Sequence, residues 1–411
     1  MVKKMTSYDV AVIGAGPAGL ASALACRKYD LNVIVVDEFP YAGGRLLGQL
    51  YEEPDGTWWN GIAESEKLIE KAQQANVPIE LNRSVYHLEK SENGSFYLHT
   101  DRGSLKATYV VIATGAAETA LPIPGWTLPG VMSIGAAQVM TNVQRVRVGK
   151  EGIIVGVNLL SVAIARELQL AGMNIRSIAL PIQNSATDGN GHPKDVMEQL
   201  IPLAPLAPSP LLRFGSKFTR FSWVRQAALQ FYPRKGIKVW DMPIHLRKAV
   251  KEINGDKEVE SVTLVSLDMN GQPIAGTEEE LAVDFVCIAG GLYPLGELAA
   301  TVGVPFRYIP SLGGHVPIHN ERMETPVEKI FVAGNITGIE NAKVAQAQGK
   351  VAGLSIAYHH LQKEAIKAER ETAIEEVIAT RKASAIQFHP EITDGREQIH
   401  SSYEQLMKTK K

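Results

Sequence analysis

The N-terminal segment alternates short apolar runs with a helix-period stretch. Val10 to Ile13 is apolar and meets Gly14-Ala15-Gly16-Pro17-Ala18-Gly19. A helical pattern follows, and a second apolar run, Val33 to Val36, ends at Asp37 with Glu38 beside it. This predicts strand, glycine turn, helix, strand. A helix is predicted over 62–75, with Ile62, Leu68, Ile69 and Ala72 on its apolar face. Strands are predicted over 79–81, 84–88 and 95–100, the last two joined at the hairpin signal Asn93-Gly94. Tyr109 to Ala113 reads as a strand running into the small-residue turn Ala113-Thr114-Gly115.

Pro122, Pro124, Gly125, Pro129 and Gly130 then crowd a segment whose composition marks a crossover between domains. From Glu151 to Leu180 the hydrophobic pattern of the first repeat returns. Laid on it without gaps, Gly156 falls on Gly14, Asn158 on Gly16, Ser161 on Gly19 and Ala179 on Asp37. Residues 181–236 read as an insert: polar to His192, Pro- and Leu-rich over 200–212, basic and aromatic over 214–232. The last stretch is expected to form an amphipathic helix against a partner or simple core packing. Strands resume over 237–240, 249–253, 258–267 and 282–287, with turns at Asn254-Gly255 and Asn270-Gly271 and a short helix over 297–301. Lys329 to Ala333 is a strand that ends in Gly334-Asn335, and a small-residue helix is expected to start at Gly338 and run to about His360. The tail from Glu364 is charged, helical in pattern and broken at His389-Pro390. It is expected to pack on the body or to contact another protein chain.

The glycine turn carries the first chemistry. Gly14 permits a tight turn, Gly16 allows a backbone to approach a pyrophosphate, and Gly19 lets the helix pack on the strand. The helix N-terminus after Pro17, which has no N–H of its own, offers the N–H of Ala18 and the next residues and partial positive charge to phosphates. Asp37 at the end of the second strand can accept from a ribose. A loop returns at Gly43-Gly44, where Arg45 can reach the phosphates. In a doubly wound sheet the Ala113-Thr114-Gly115 turn also lies at the ligand edge. The second repeat has lost two glycines and the acid, and a Cβ at Asn158 would obstruct a pyrophosphate. NAD(P) binding there is not expected.

Composition narrows the class. The chain has 411 residues, 45% hydrophobic and 21% charged, which suits two or three globular domains. Its net charge of −2 gives no general attraction to nucleic acid or anionic membrane. No apolar span of about 18 residues predicts a transmembrane helix. The two cysteines, Cys26 and Cys287, lie in apolar contexts. Buried thiols in a reducing, cytoplasmic compartment are expected, and two thiols do not supply an iron–sulfur cluster. The ten histidines show no metal spacing, and no catalytic acid, base or nucleophile is visible.

Three motifs stand in order: Gly14-x-Gly16-x-x-Gly19 with Asp37, Ala113-Thr114-Gly115, and Val332-Ala333-Gly334-Asn335. Together they resemble the two-dinucleotide-binding-domain flavoproteins, the class of thioredoxin and glutathione reductases. The resemblance implies an α/β fold with two Rossmann-like domains, a glutathione-reductase-like FAD domain with an inserted, degenerate NAD(P)-type domain. The expected limits are 1–120 and 285–360 for the FAD domain, 121–284 for the second domain with its insert, and 361–411 for the tail. It also implies FAD held by Gly14, Ala15, Gly16, Pro17, Ala18, Gly19, Asp37, Glu38, Gly44, Arg45, Ala113, Thr114, Gly115, Gly334, Asn335 and Gly338. Asn335 stands where the family has Asp. The redox Cys-x-x-Cys of the disulfide reductases is missing.

Gly43-Gly44-Arg45, Leu128-Pro-Gly-Val and Gly135-Ala-Ala-Gln138 resemble the flavin subunits of hydrogen cyanide synthase, opine oxidases, dye-linked proline and hydroxyproline dehydrogenases and the sarcosine oxidase alpha chain. The resemblance implies an FAD-containing electron-transfer subunit of a multi-subunit amino- or imino-acid dehydrogenase or oxidase, working with a second flavin-containing catalytic subunit. Many relatives carry a cysteine-rich iron–sulfur segment. This tail has no cysteine, so either a separate small iron–sulfur subunit holds the cluster or electrons pass without one. Two alternatives are a stand-alone NAD(P)H-dependent flavin reductase and a structural subunit without redox-active flavin.

Overall fold

The computed structural model describes residues 6–52, 56–201, 227–384 and 388–410. The chain divides into two compact units. One comprises Met1–Leu47, Gly61–Ala117 and Leu292–Lys411, and the other Gly48–Asn60 and Glu118–Gly291. Most of the basic–aromatic stretch 214–232, with the Pro- and Leu-rich 202–212, lies outside the described residues.

The first unit is built on a seven-stranded sheet. Ser7–Ile13 lies between Val33–Val36 and Leu105–Ile112, parallel to both, and Ile330–Val332 adds in parallel to the end of Leu105–Ile112. Alternate side chains go to opposite faces, as the strand period requires. Val10, Val12, Val33, Val35 and Val111 join a core with the helices, while Ala11, Ile13, Ile34, Val36 and Ile112 join a second core with Leu88, Phe96 and Leu98. These last come from the antiparallel strands Val85–Lys90 and Phe96–Thr100, which extend the same sheet.

Two helices on the first face run side by side. A Cβ at Gly349 would lie 2.0 Å from the Ala18 carbonyl oxygen, and one at Gly353 would lie 2.4 Å from that of Ser22. The helices Pro17–Arg27 and Ala342–Leu361 are therefore parallel, with backbones nearly touching, and both N-termini point to the same end of the sheet. The tail forms the helices Glu364–Ala383 and Ile392–Thr409. Both bury side chains in this unit: Ile366, Ala373 and Val377 on the helical face, Ile392 and Ile399 against Ile309, Leu312 and Val316.

The second unit has an eight-stranded sheet. Val131–Ser133, Phe285–Ile288, Glu151–Val155 and Asn174–Pro181 run parallel in that spatial order, followed by Met242–Asn254 and antiparallel neighbours. Gly149 and Gly152 leave the space that the Phe285 ring fills, since a Cβ at either would lie within 2.3 Å of it. The helix Ile134–Asn142 was not among the predicted elements. Its signal is Ser133, whose hydroxyl accepts from Ala136 N–H as an N-cap.

The gap-free superposition of the two repeats is corrected by one residue. Ile13 pairs with Val36, but Val155 pairs with Ala179, because a bulge between Gly152 and Ile153 skips Arg176. Ala179 therefore corresponds to Val36, and the counterpart of Asp37 is Leu180, which is fully buried. No helix among the described residues is long and apolar enough to cross a membrane.

Candidate functional site

The carboxyl edge of the first sheet gathers most of the singled-out residues. Gly14 has φ +106°, and a Cβ there would lie 2.3 Å from the Ala113 carbonyl oxygen. One at Gly19 would lie 1.8 Å from the Gly14 carbonyl oxygen. Both glycines are therefore required by the protein's own backbone. Gly16 differs: a Cβ there would meet no atom within 4 Å beyond its chain neighbours. The helix that follows has Gly16 as N-cap, Pro17 in its first turn and no capping side chain, so no side chain satisfies its N-terminal donors. Gly115, φ +78°, likewise faces open space, and Gly44 approaches Gly16.

Asp37 has a structural role that the sequence did not show. Its Oδ2 accepts from Ala15 N–H at 2.6 Å and its Oδ1 from Phe39 N–H at 2.8 Å, so it ties the second strand to the glycine turn. Burial pushes its carboxyl above the usual range, and the two N–H bonds pull against that shift. A carboxylate offers about four lone-pair positions, which leaves room for hydroxyl donors. Glu38 is exposed and accepts from the Ser84 hydroxyl. Arg45 is exposed, and its Nε donates to the Ala116 carbonyl at 3.0 Å, which places it at the Thr114–Gly115 turn. The Thr114 hydroxyl donates to Leu295 O at 2.6 Å, and Leu295 N–H donates to Gly115 O at 3.1 Å.

Gly334 follows Val332 and Ala333 with φ +80°, its Cα side against Ala18. Its N–H donates to Gln348 Oε1 at 3.0 Å. Asn335 turns its Oδ1 to Glu340 N–H at 3.2 Å. Gly338 is not a helix start. A 3-10 turn spans Asn335–Thr337, Gly338 has φ +133°, and the helix begins at Ala342, where Asn341 accepts from Val344 N–H. The glycine belongs to the loop, and the cap lies three residues later.

The second repeat keeps the same turn and closes it. A Cβ at Gly156 would lie 2.2 Å from Ala289 O, as at Gly14. Asn158 then does what no residue does in the first repeat. Its Oδ1 accepts from Ser161 N–H at 2.9 Å, its Nδ2 donates to Ala289 O at 3.0 Å, and Ser161 Oγ accepts from Asn158 N–H at 2.9 Å. This capping box satisfies helix donors that remain uncapped at Gly16. Nearby in this unit the buried Glu167 accepts from Gln138, Asn142 and Leu50 N–H. Burial pushes its pKa up to about 7 against these three donors. Both cysteines are buried and free, one in each unit.

Sequence reasoning missed Leu295, Gln348, Glu340, Arg381 and Arg396. A signal existed for Arg396, which sits at the apolar spacing of Ile392 and Ile399, where a charge implies a buried partner.

Residues 8–200 and 211–349 match the family described as pyridine nucleotide-disulphide oxidoreductase, and the chain belongs to that family. It is thus an oxidoreductase of a family that typically binds FAD. It is 26% identical over 365 residues to an opine oxidase subunit from Agrobacterium tumefaciens (strain Ach5), covering 85% of this chain and 65% of that protein. It is 24% identical over 369 residues to hydrogen cyanide synthase subunit HcnB of Pseudomonas aeruginosa, covering 86% and 71%. L-proline dehydrogenase from P. horikoshii shares the fold with a TM-score of 0.63 at 20% identity, over 91% of this chain and 60% of that one. Thioredoxin reductase of T. acidophilum does so with a TM-score of 0.59 at 19% identity, over 86% and 99%. The chain spans less than two thirds of the proline dehydrogenase chain and of the Agrobacterium opine oxidase subunit.

Proposed function

We propose that this chain is the FAD-containing electron-transfer subunit of a multi-subunit dehydrogenase or oxidase that acts on an amino or imino acid of the proline, hydroxyproline, sarcosine or opine type. The observation that carries this reading is the contrast between the two repeats. The helix end at Gly16 is open to a ligand, whereas the equivalent end at Asn158 is capped by its own side chains, and Leu180 stands where an acid would meet a ribose. In this reading the first end takes a dinucleotide, and the second is filled by the chain's own side chains. FAD without a nicotinamide site takes its electrons from a donor other than NAD(P)H, and in this reading that donor is a partner subunit. Relatives named as subunits of opine oxidase and hydrogen cyanide synthase support that direction.

Gly14, Ala15, Gly16 and Gly19, with the N–H groups of Ala18 and the helix turn, hold the pyrophosphate. Asp37 accepts from the adenosine ribose, with Glu38 at the rim. Gly44, Arg45 and the Ala113-Thr114-Gly115 turn border the middle of the cofactor. Gly334, Asn335 and Gly338 hold the flavin half, the Asn335 amide serving as hydrogen-bond partner for a ribityl hydroxyl. The flavin supplies the redox chemistry, and the chain supplies orientation and electrostatics. The substrate-oxidising pocket lies on a second, flavin-containing subunit. Any iron–sulfur cluster lies on a separate small subunit.

An anaerobic absorbance titration tests this. The purified chain is expected to show a flavin spectrum that NADH and NADPH leave unbleached, and that bleaches when an imino acid such as proline is added together with the catalytic partner. Rapid bleaching by one nicotinamide alone would make the chain a reductase. Failure to take up FAD on reconstitution would leave a structural role.

A further inference from the structure

The loop Gly334–Gly338 rests on a buried polar cluster whose charge does not balance. Arg396, 4% exposed, comes from the tail helix Ile392–Thr409. Its Nη1 donates to Thr337 O at 2.6 Å, and its Nη2 donates to Glu340 Oε2 at 2.5 Å. Arg381, from the helix Glu364–Ala383, donates to both oxygens of the same carboxylate. Gln348 connects this pair to the loop, with its Nε2 at 3.4 Å from Glu340 Oε2 and its Oε1 accepting from Gly334 N–H.

Burial alone would raise the Glu340 carboxyl, but the two guanidiniums override it and hold the group below the usual range, so it is ionised. Two histidines complete the cluster without adding charge. His319 is pushed well below its ordinary value by burial and by Arg396, and His400 is lowered to about 4 by the same causes. Among the described residues one carboxylate therefore faces two guanidiniums, which leaves one uncompensated positive charge beneath the loop. A buried guanidinium does not shed its proton to relieve this. Both arginines lie beyond residue 349, where the family match ends.

We propose that Arg396 is a positioning residue of the flavin site. It fixes the loop through Thr337 and leaves a net positive charge there that favours the reduced, more negatively charged flavin, so that this chain accepts electrons readily from its partner. This rests on the assignment of Gly334–Gly338 to the flavin half of FAD. Charge in a low-dielectric setting acts far more strongly than in water.

The test is the midpoint potential of FAD on the full chain, read by reductive titration against a redox dye, for Arg396→Gln, Arg396→Lys and Glu340→Gln. Arg396→Gln removes the excess charge and is expected to shift the potential to more negative values. Glu340→Gln adds to the excess and is expected to shift it to more positive values, while Arg396→Lys stays near the parent. Loosened packing alone would move both glutamine variants the same way, and that result, or no shift in either, would overturn the proposal. If Arg396→Gln does not fold, the sign of the Glu340→Gln shift decides by itself. A parent chain that takes up no FAD removes the cofactor assignment, a failure seen before any variant is compared.

Discussion

Gly14 stands so close to Ala113 that a Cβ on it would lie 2.3 Å from the Ala113 carbonyl oxygen, in a backbone conformation of φ +106°. Two residues on, Gly16 has no such neighbour. The chain's own backbone requires the first glycine of the motif and not the second, and substitution separates them. Gly14→Ala combines steric overlap with a disfavoured φ and is expected to cost about 3 kcal/mol of stability or more. Gly16→Ala is expected to leave the denaturation midpoint of the FAD-free chain nearly unchanged, since the weaker N-capping of alanine is offset by the smaller backbone freedom it leaves the unfolded chain. It should weaken FAD by at least about tenfold, which is about 1.4 kcal/mol. Urea unfolding beside FAD fluorescence titration measures both. A Gly16→Ala chain with parental FAD affinity would show that no ligand backbone approaches that position.

In the second repeat the corresponding position behaves in the opposite way. Asn158 caps the helix Leu159–Leu170 and bonds Ala289 O, so Asn158→Ala removes stability and leaves flavin affinity alone. The expected loss is about 1–2 kcal/mol, from a cap and a buried hydrogen bond together. Urea unfolding read on a second-unit signal checks it, and a variant as stable as the parent would mean the box is dispensable.

The two thiols are expected to be silent in the folded chain. Burial raises both above the ordinary thiol range, Cys287 to about 12 with help from the Glu118 charge, and Cys26 further. The thiolate is the reactive form, so at pH 8 neither is expected to react with a disulfide reagent until the chain unfolds. Two thiols per chain should then appear in denaturant, matching the two cysteines present. A fast-reacting thiol in the native chain would reopen dithiol or mixed-disulfide chemistry.

The first repeat was legible because its glycines answer to local backbone: a tight turn at Gly14 and helix-on-strand contact at Gly19 leave their mark in the residues themselves. The second repeat was legible as a fold but not in register. The bulge that skips Arg176 carries no composition signal, and a one-residue slip moved the comparison from Leu180 to Ala179. The helix start at Ala342 was misplaced to Gly338 because a glycine after a strand looks like a phosphate turn, while the real cap, Asn341, is an ordinary polar residue. The tail read as charged and helical, as it is, yet Arg370 and Arg396 occupy core positions of their helices. Periodicity marks such positions, but only the fold brings Glu340 to Arg396. The network around Glu167 was hidden for the same reason, since Gln138, Asn142 and Leu50 come from segments distant along the chain.

Glu167 makes stability of the second unit depend on pH in an unusual direction. Its carboxyl titrates at about 7 in the folded chain, against an ordinary value of 4.5. The folded state therefore holds a proton that the unfolded state has lost over that interval. Stability rises with pH only where the unfolded state binds more protons, so here it falls. The contribution is fully present below about pH 4.5, declines as pH rises, and is lost once pH passes the folded value near 7. Over about two and a half pH units the change is of the order of 3 kcal/mol at 1.36 kcal/mol per unit. Glu167→Gln removes the titration while keeping an amide that can exchange hydrogen bonds with Gln138 and Asn142. The variant is expected to match the parent near pH 5 and to exceed it at pH 8, with a flatter profile between. Denaturant midpoints for both chains from pH 5 to 8 decide the point. A parent profile that rises over this range at the second-unit probe, or a variant that loses stability most at pH 8, would show that Glu167 is ionised in the fold and held by its three donors.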